Sequence, residues 1–385
     1  MNTQKKVNAY DAKTNAFYGA EFTIEGDNIS LRKISDDALD TNQYLSPGWI
    51  DPHTHLFDEM GVFGAKADDM GVNRGVHMVV DAGTIGAYTI DTFRKYVLPT
   101  IETKVKVFLN ISPIGCLFQG ENIVLQMMDA DHIQNTIECV RRNLDIVVGV
   151  KVRMDGRMMS DEQLRPLGLA ERVAYELKMP LMLHVAQPPP KLSDMEPYLK
   201  KGDIITHCFS GQRPGLWEDD GRPTRALQAC LDRGVRLDIG HGAGSFSFDV
   251  FDKALAHGLP KVTMGTDLHR PSMAGPVKTM SNFVSKMYGL RLPLNEIIWG
   301  LTQGPADILG LEGWCDLDKS LKNLTLFEIA PDDERRPQMD TVGQVRYFNH
   351  IVKVTGVVYD GEFRPINDTL PEPAGNERLD MRNIR

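Results

Sequence analysis

Residues 51 to 55 read Asp-Pro-His-Thr-His and follow directly on the apolar run Gly-Trp-Ile. Alternate side chains of a β-strand share a face, so His53 and His55 project together, roughly 6 to 7 Å apart. Two imidazoles at that spacing suit one metal ion. They equally suit two separately satisfied histidines, and the rest of the chain must decide. Other groups of ligand or acid–base type close further apolar runs. Lys151 and Arg153 end DIVVGVKVR, and His184 lies in PLMLHVA, His207 in DIITHCF, His241 in VRLDIGHG and Asp267 in KVTMGTDL.

The elements that must position these groups follow from periodicity. Eight strand-like runs occupy residues 48–55, 77–84, 106–112, 145–153, 180–186, 203–209, 235–242 and 261–268, and helical patterns separate them. LGLAERVAYELKMP, from Leu167, repeats apolar residues at helical spacing and stops before Pro180, while TRALQACLDRG ends at Gly234. Eight such units predict an α/β protein with a (β/α)8 TIM-type barrel over residues 46–320. Residues 1–45 and 321–385 instead carry short alternating runs, as in AEFTIEGDNISLRKI and VKVTGVVYDGEF. They predict one small β-sandwich built from both ends of the chain. The tail PEPAGNERLDMRNIR is polar and is expected to order only against another surface.

A barrel of this kind collects reactive groups at the carboxyl ends of its strands. Alternation predicts Val148, Val150 and Val152 outward and Val147, Gly149, Lys151 and Arg153 inward. It likewise predicts Ile50, Pro52 and Thr54 outward with Asp51, His53 and His55 inward, and Val262, Met264 and Thr266 outward with Thr263, Gly265 and Asp267 inward. A lysine aimed into a core is costly unless paired or chemically altered. Four histidines, a lysine and an aspartate thus converge on one mouth, which reads as a metal centre rather than as six independently satisfied groups. Imidazole and carboxylate donors suit zinc, with manganese, iron and nickel as alternatives.

This arrangement resembles the amidohydrolase superfamily of metal-dependent hydrolases. Within it, FLNISPIG, GVKVR, HVAQPPP, ITHCFSG, VRLDIGHGAGSFSF and TDLHRPSM look like the deacetylase-like group often labelled dihydroorotase. The resemblance spans essentially the whole chain. It implies two divalent cations: His53, His55 and Asp267 hold the more buried one, and His184 and His207 the other. Lys151, carboxylated by CO2, would bridge them as a carbamate. It also implies a hydroxide between the cations that attacks an ester or amide carbonyl, with Asp267 as general acid and base. The implied substrate is a small N-acyl or O-acyl α-carboxylic acid, above all an acetylated one. Phe57 departs from the pattern, because dihydroorotases usually carry an arginine there. A cyclic amidase of dihydroorotase or hydantoinase type would use the same machinery. A catalytically silent metabolite-binding barrel is the third reading, and the full ligand set argues against it.

Substrate-binding candidates remain open at this level. Arg153 shares the inward face with Lys151 and fits either a two-point grip on a carboxylate or an ion pair beneath a loop. His241 fits either a substrate oxygen or the cap of the next helix, and Tyr88, His269 and Arg270 lie on neighbouring loops. His77, His132, His257 and His350 stand away from the mouth and read as structural. GHGAGSFSF lacks the lysine of a phosphate-cradling loop.

Composition narrows the class. The 385 residues are 25% charged and 42% hydrophobic with a formal net charge of -9, which argues against a nucleic-acid surface. No apolar run approaches the ~18 residues of a membrane span, and the N-terminal MNTQKKVNAYDAK has no signal-peptide core, so a cytoplasmic protein is expected. Cys116, Cys139, Cys208, Cys230 and Cys315 are odd in number and scattered, as reduced core thiols are. A homodimer is the base-rate expectation.

Overall fold

The computed structural model describes residues 2–61, 63–117, 124–125, 131–157 and 164–368, and the polar tail lies outside the described residues. Four strands come first: β1 (Asn2–Asp11), β2 (Ala16–Glu25), β3 (Asn28–Ser35) and β4 (Gln43–Pro47). The barrel strands follow as β5 (Trp49–Thr54), β6 (Val76–Asp81), β7 (Lys104–Asn110), β8 (Val147–Met154), β9 (Leu181–Val185), β10 (Ile204–Thr206), β11 (Arg236–Asp238) and β12 (Val262–Thr263). These eight pair in chain order, all in parallel. The ring closes where Thr54 bridges Leu268: Asp267 N donates to His53 O at 2.7 Å and His55 N to Leu268 O at 2.9 Å. The first and last predicted metal-holding segments are therefore stitched backbone to backbone.

The helices start and stop as their residues dictate. Arg165–Glu176 opens with Pro166, whose missing N–H costs nothing in a first turn. Thr224 caps Arg225–Arg233 by accepting from Leu227 N, and Gly234 ends that helix at φ 88°, a left-handed conformation open to glycine.

Two apolar layers hold the barrel. Val79, Leu109, Val150, Val152, Leu183 and Leu237 face the helices, whereas Ile50, Met78, Val80, Phe108, Met182 and Ile204 meet inside. Gly149 leaves room for the Phe108 ring, which an added Cβ would approach to 2.3 Å. Two outward expectations fail here. Ile50 packs in the interior, and a register shift between Asp51 and Thr54 then restores His53 to that same side. Asp51 itself accepts from the backbone N and Oγ1 of Thr266 and from the backbone N of His53, and among the described residues no imidazole ring donates to it. In β8, Val147 joins the outer core and Val148 packs against the inner one, beside another register shift at Val107–Phe108. Strict alternation cannot see either irregularity.

The chain ends supply β13 (Leu324–Pro331), β14 (Pro337–Met339), β15 (Val345–Tyr347), β16 (His350–Tyr359) and β17 (Glu362–Pro365). Strands from both ends build one seven-stranded sheet in the order β17-β16-β13-β4-β1-β2-β3. Val7, Ala20, Phe22, Leu45, Leu326 and Val358 form a core on one face. The other face sets Tyr10 and Phe327 against Trp49 and the barrel. Strands β14 and β15 form a separate hairpin. All five cysteines are buried. Among the described residues no helix is long and apolar enough to cross a membrane.

Candidate metal centre

Each strand end delivers its group to one point. Ligand atoms of His53, His207 and Asp267 lie within 4.8 Å of one another. Asp267 Oδ1 faces His55 Nε2 at 3.1 Å and His53 Nε2 at 3.6 Å. His207 Nε2 approaches His184 Nδ1 to 2.7 Å, and Lys151 Nζ lies 3.4 Å from His53 Nε2. The structure thus brings together all six residues expected to hold metal. His207 and Asp267 sit in the left-handed region, at φ 65° and 52°. Each such non-glycine position costs about 1–3 kcal/mol, a strain that surrounding bonds must hold.

Those bonds also set the ring tautomers. His53 Nδ1 donates to Asp238 Oδ2 at 3.1 Å, beside Thr206 Oγ1 at 2.9 Å. Asp238 is itself fixed by Thr206 Oγ1 (2.7 Å), Thr263 Oγ1 (2.8 Å) and Gly265 N (2.9 Å). His207 Nδ1 donates to Gly240 O at 2.6 Å. Both rings therefore turn an Nε2 lone pair into the cluster. His55 Nδ1 meets Thr84 Oγ1 at 2.8 Å.

Burial keeps these imidazoles neutral, which is the form a metal binds. It pushes His53 down to about 4, His207 down to about 3 and His184 well below the usual histidine range. Burial likewise pushes Lys151 down to about 8. Burial opposes the charge on Asp267, yet His269, His53 and His55 hold its carboxyl well below the usual range. Two buried atoms, His184 Nε2 and Asp267 Oδ1, have no hydrogen-bond partner among the described residues. Each such atom costs about 1–3 kcal/mol if left so. Neutral imidazoles, an anionic carboxylate and orphaned donor atoms in one buried cluster fit divalent cations.

The substrate-binding candidates separate. Arg153 stands at the rim, its guanidinium 6.0 Å from the Phe63 ring centroid, and Phe63 in turn neighbours His55 and His269. Arg153 Nη2 is 3.6 Å from Asp155, a carboxylate that Arg157 grips more closely at 2.6 Å. His241 has partners within the protein on both sides of its ring. Its Nδ1 donates to Gly242 O at 2.9 Å, its Nε2 accepts from Lys286 Nζ at 2.8 Å, and the next helix starts only at Phe248. Both ring nitrogens are committed within the protein. His269 lies beside the cluster, with Nδ1 3.4 Å from Asp267 Oδ1, whereas Arg270 pairs with Asp58 and Tyr88 is exposed. Phe57 is buried against Phe93. His77 and His132 bond the backbone carbonyls of Val358 and Ile111.

Sequence reasoning missed Asp238, Thr206, Thr84 and Gly240. A signal existed for one of them: in VRLDIGHG, Leu237 and Ile239 face outward, which turns Asp238 inward beneath the histidines.

No family model matches the chain. A protein named deacetylase from Brucella anthropi is 30% identical over 355 residues, covering 91% of this chain and 88% of the relative. Another deacetylase, from Enterococcus faecalis, is 33% identical over 333 residues, covering 84% and 88%. The chain belongs to the deacetylase-like amidohydrolases. A solved dihydroorotase superposes on this amidohydrolase with a TM-score of 0.81 at 27% identity, covering 94% of this chain and 98% of the other. An amidohydrolase of this group is a metal-dependent hydrolase, and the barrel mouth carries a group of side chains that could hold a metal ion.

Proposed function

We propose that the protein is a binuclear deacetylase acting on small N-acyl or O-acyl α-carboxylic acids. One observation carries this reading: the ligand atoms of His53, His207 and Asp267 converge within 4.8 Å, while His184 Nε2 and Asp267 Oδ1 beside them lack hydrogen bonds. His53, His55 and Asp267 would hold one cation, His184 and His207 a second, with zinc suited to both donor sets. Two such cations, when bound, would supply Lewis-acid polarisation of a scissile carbonyl and a lowered pKa for water.

The chain's own groups do the rest. Among the described residues Lys151 finds only His53 Nε2 and the Met182 sulfur, at 3.4 and 3.5 Å, which are poor acceptors for a buried ammonium. Its amine nitrogen bonding to the carbon of CO2, with loss of one proton, gives a carbamate whose two oxygens suit a bridge. Asp267, held anionic by its histidine neighbours, takes a proton at its carboxylate and passes it to the leaving alcohol or amine. Arg153 at the rim grips the substrate carboxylate through two parallel N–H donors.

A cyclic amidase is the second reading, favoured by the likeness to the solved dihydroorotase. The buried Phe57 disfavours it, since no arginine stands there to hold a ring carboxylate. Protein supplied with zinc and bicarbonate should retain about two metals per chain and release acetate from acetylated α-hydroxy or α-amino acids. Ring opening of dihydroorotate instead would select the second reading. A protein that binds no metal would end both.

A further inference from the structure

Lys286 takes no part in the proposed chemistry, yet it is among the most thoroughly buried side chains of the molecule. It projects from the helix Met280–Gly289, and a buried ammonium is costly unless every N–H is paired. Here each one is. Nζ donates to His241 Nε2 at 2.8 Å, to Pro276 O at 2.8 Å and to Met339 O at 2.6 Å. These acceptors come from the turn after β11, the loop after the helix Arg270–Ala274 and strand β14, so one side chain joins three separate segments.

Of the three, His241 leads to the metal centre. It lies between Gly240 and Gly242, both in the left-handed region at φ 52° and 54°, and its ring stacks on Phe246. On one side, Gly240 O accepts the Nδ1 proton of His207. On the other, Gly242 packs so closely on Asp267 that an added Cβ would stand 2.2 Å from Oδ2. This turn therefore touches the cluster at two points and is anchored between them by one imidazole. The hairpin β14–β15 latches the chain just beyond. Phe246 N donates to Thr341 Oγ1 at 2.9 Å, Thr341 N to Phe246 O at 2.9 Å, and Phe248 N to Asp340 at 3.1 Å.

We infer that Lys286 is a positioning residue: through His241 it fixes the Gly240–Gly242 turn, and the turn in turn fixes the His207 ring and confines the Asp267 carboxylate. The inference rests on the reading of His207 and Asp267 as metal-holding residues only for its catalytic consequence. The mechanical claim concerns the protein alone. Removing one partner would strand the other's buried polar atom; replacing both removes that mismatch, although Pro276 O, Met339 O and Gly242 O then lose their donors. Lys286→Met with His241→Phe is therefore the informative pair, since phenylalanine preserves the stack on Phe246.

Two measurements separate the claims. In metal-free protein, nitrogen NMR of the His207 ring reports its tautomer and the exchange of its Nδ1 proton. The double variant should exchange that proton at least tenfold faster at a temperature where it is folded, and it should melt below the parent because three buried carbonyls lose donors. An unchanged exchange rate in the folded double variant overturns the positioning role, whatever the metal does. If the double variant does not fold, Lys286→Met alone, which removes the donor to His241 Nε2 and keeps the imidazole stacked on Phe246, should accelerate the same exchange, and its failure to do so overturns the role equally. Cobalt titration then tests the consequence. Cobalt should bind the parent and bind the variant about tenfold more weakly with an altered visible spectrum. A parent that binds no cobalt would refute the metal reading while leaving the NMR result to decide Lys286.

Discussion

Replacing Asp238 with asparagine tests whether the metal centre is built by tautomer control. Asp238 accepts four hydrogen bonds: Oδ1 takes Thr263 Oγ1 and Gly265 N, and Oδ2 takes Thr206 Oγ1 and His53 Nδ1. In Asp238→Asn the remaining oxygen can keep the first pair. The new NH2 then faces Thr206, whose hydroxyl can rotate to accept, and His53 Nδ1, which can accept only by losing its proton. The ring then carries its proton on Nε2, the atom 3.4 Å from Lys151 Nζ and 3.6 Å from Asp267 Oδ1. A protonated Nε2 cannot bind a cation. Either His53 changes tautomer and is lost as a ligand, or it keeps its tautomer and two N–H groups oppose each other in the core. Loss of a partner of this kind costs about 10- to 100-fold in metal affinity, or about 1.4–2.7 kcal/mol. The shape is nearly unchanged, so folding should survive. Zinc affinity by competition with a chelator, beside thermal melting of the metal-free protein, gives the answer. A folded Asp238→Asn variant with parental zinc affinity and turnover would refute the tautomer argument.

Further outcomes follow from the same geometry. Gly242→Ala puts a Cβ 2.2 Å from Asp267 Oδ2 at a left-handed φ, so turnover should fall at least tenfold, and an unchanged kcat would show that the turn does not confine that carboxylate. Lys151→Ala should lose metal and turnover together, which metal analysis checks directly, and full retention of two metals would dispose of the bridging assignment. Burial between barrel and sheet pushes His77 down to about 4 from 6.5. The unfolded chain therefore takes up this proton first, and stability is lost as pH falls from about 6.5 to about 4, by about 3 kcal/mol from this group. Urea unfolding of His77→Gln across that range should show a correspondingly shallower pH slope, and identical slopes would contradict the burial argument.

Local chemistry in the chain determined the architecture. The alternation of apolar runs with helical periods, Pro166 and Thr224 at helix starts and Gly234 at a helix end depend only on near neighbours, and these features have counterparts in the folded barrel. The predicted metal-holding residues were legible for a related reason: a barrel sends the carboxyl ends of its strands to one mouth, so ligand types at strand ends must meet. Facing directions were less secure. Ile50 and Val148 lie inside because register shifts beside them break the period of two, and such shifts are set by pairing with another strand. Partners across the fold were out of reach. The Nδ1 of His53 is claimed by Asp238, 185 residues away, and the Nε2 of His241 by Lys286, 45 residues away. A side chain's type and period are properties of its own segment, but its tautomer, charge and hydrogen bonds belong to whichever distant groups the closed barrel brings within 3 Å.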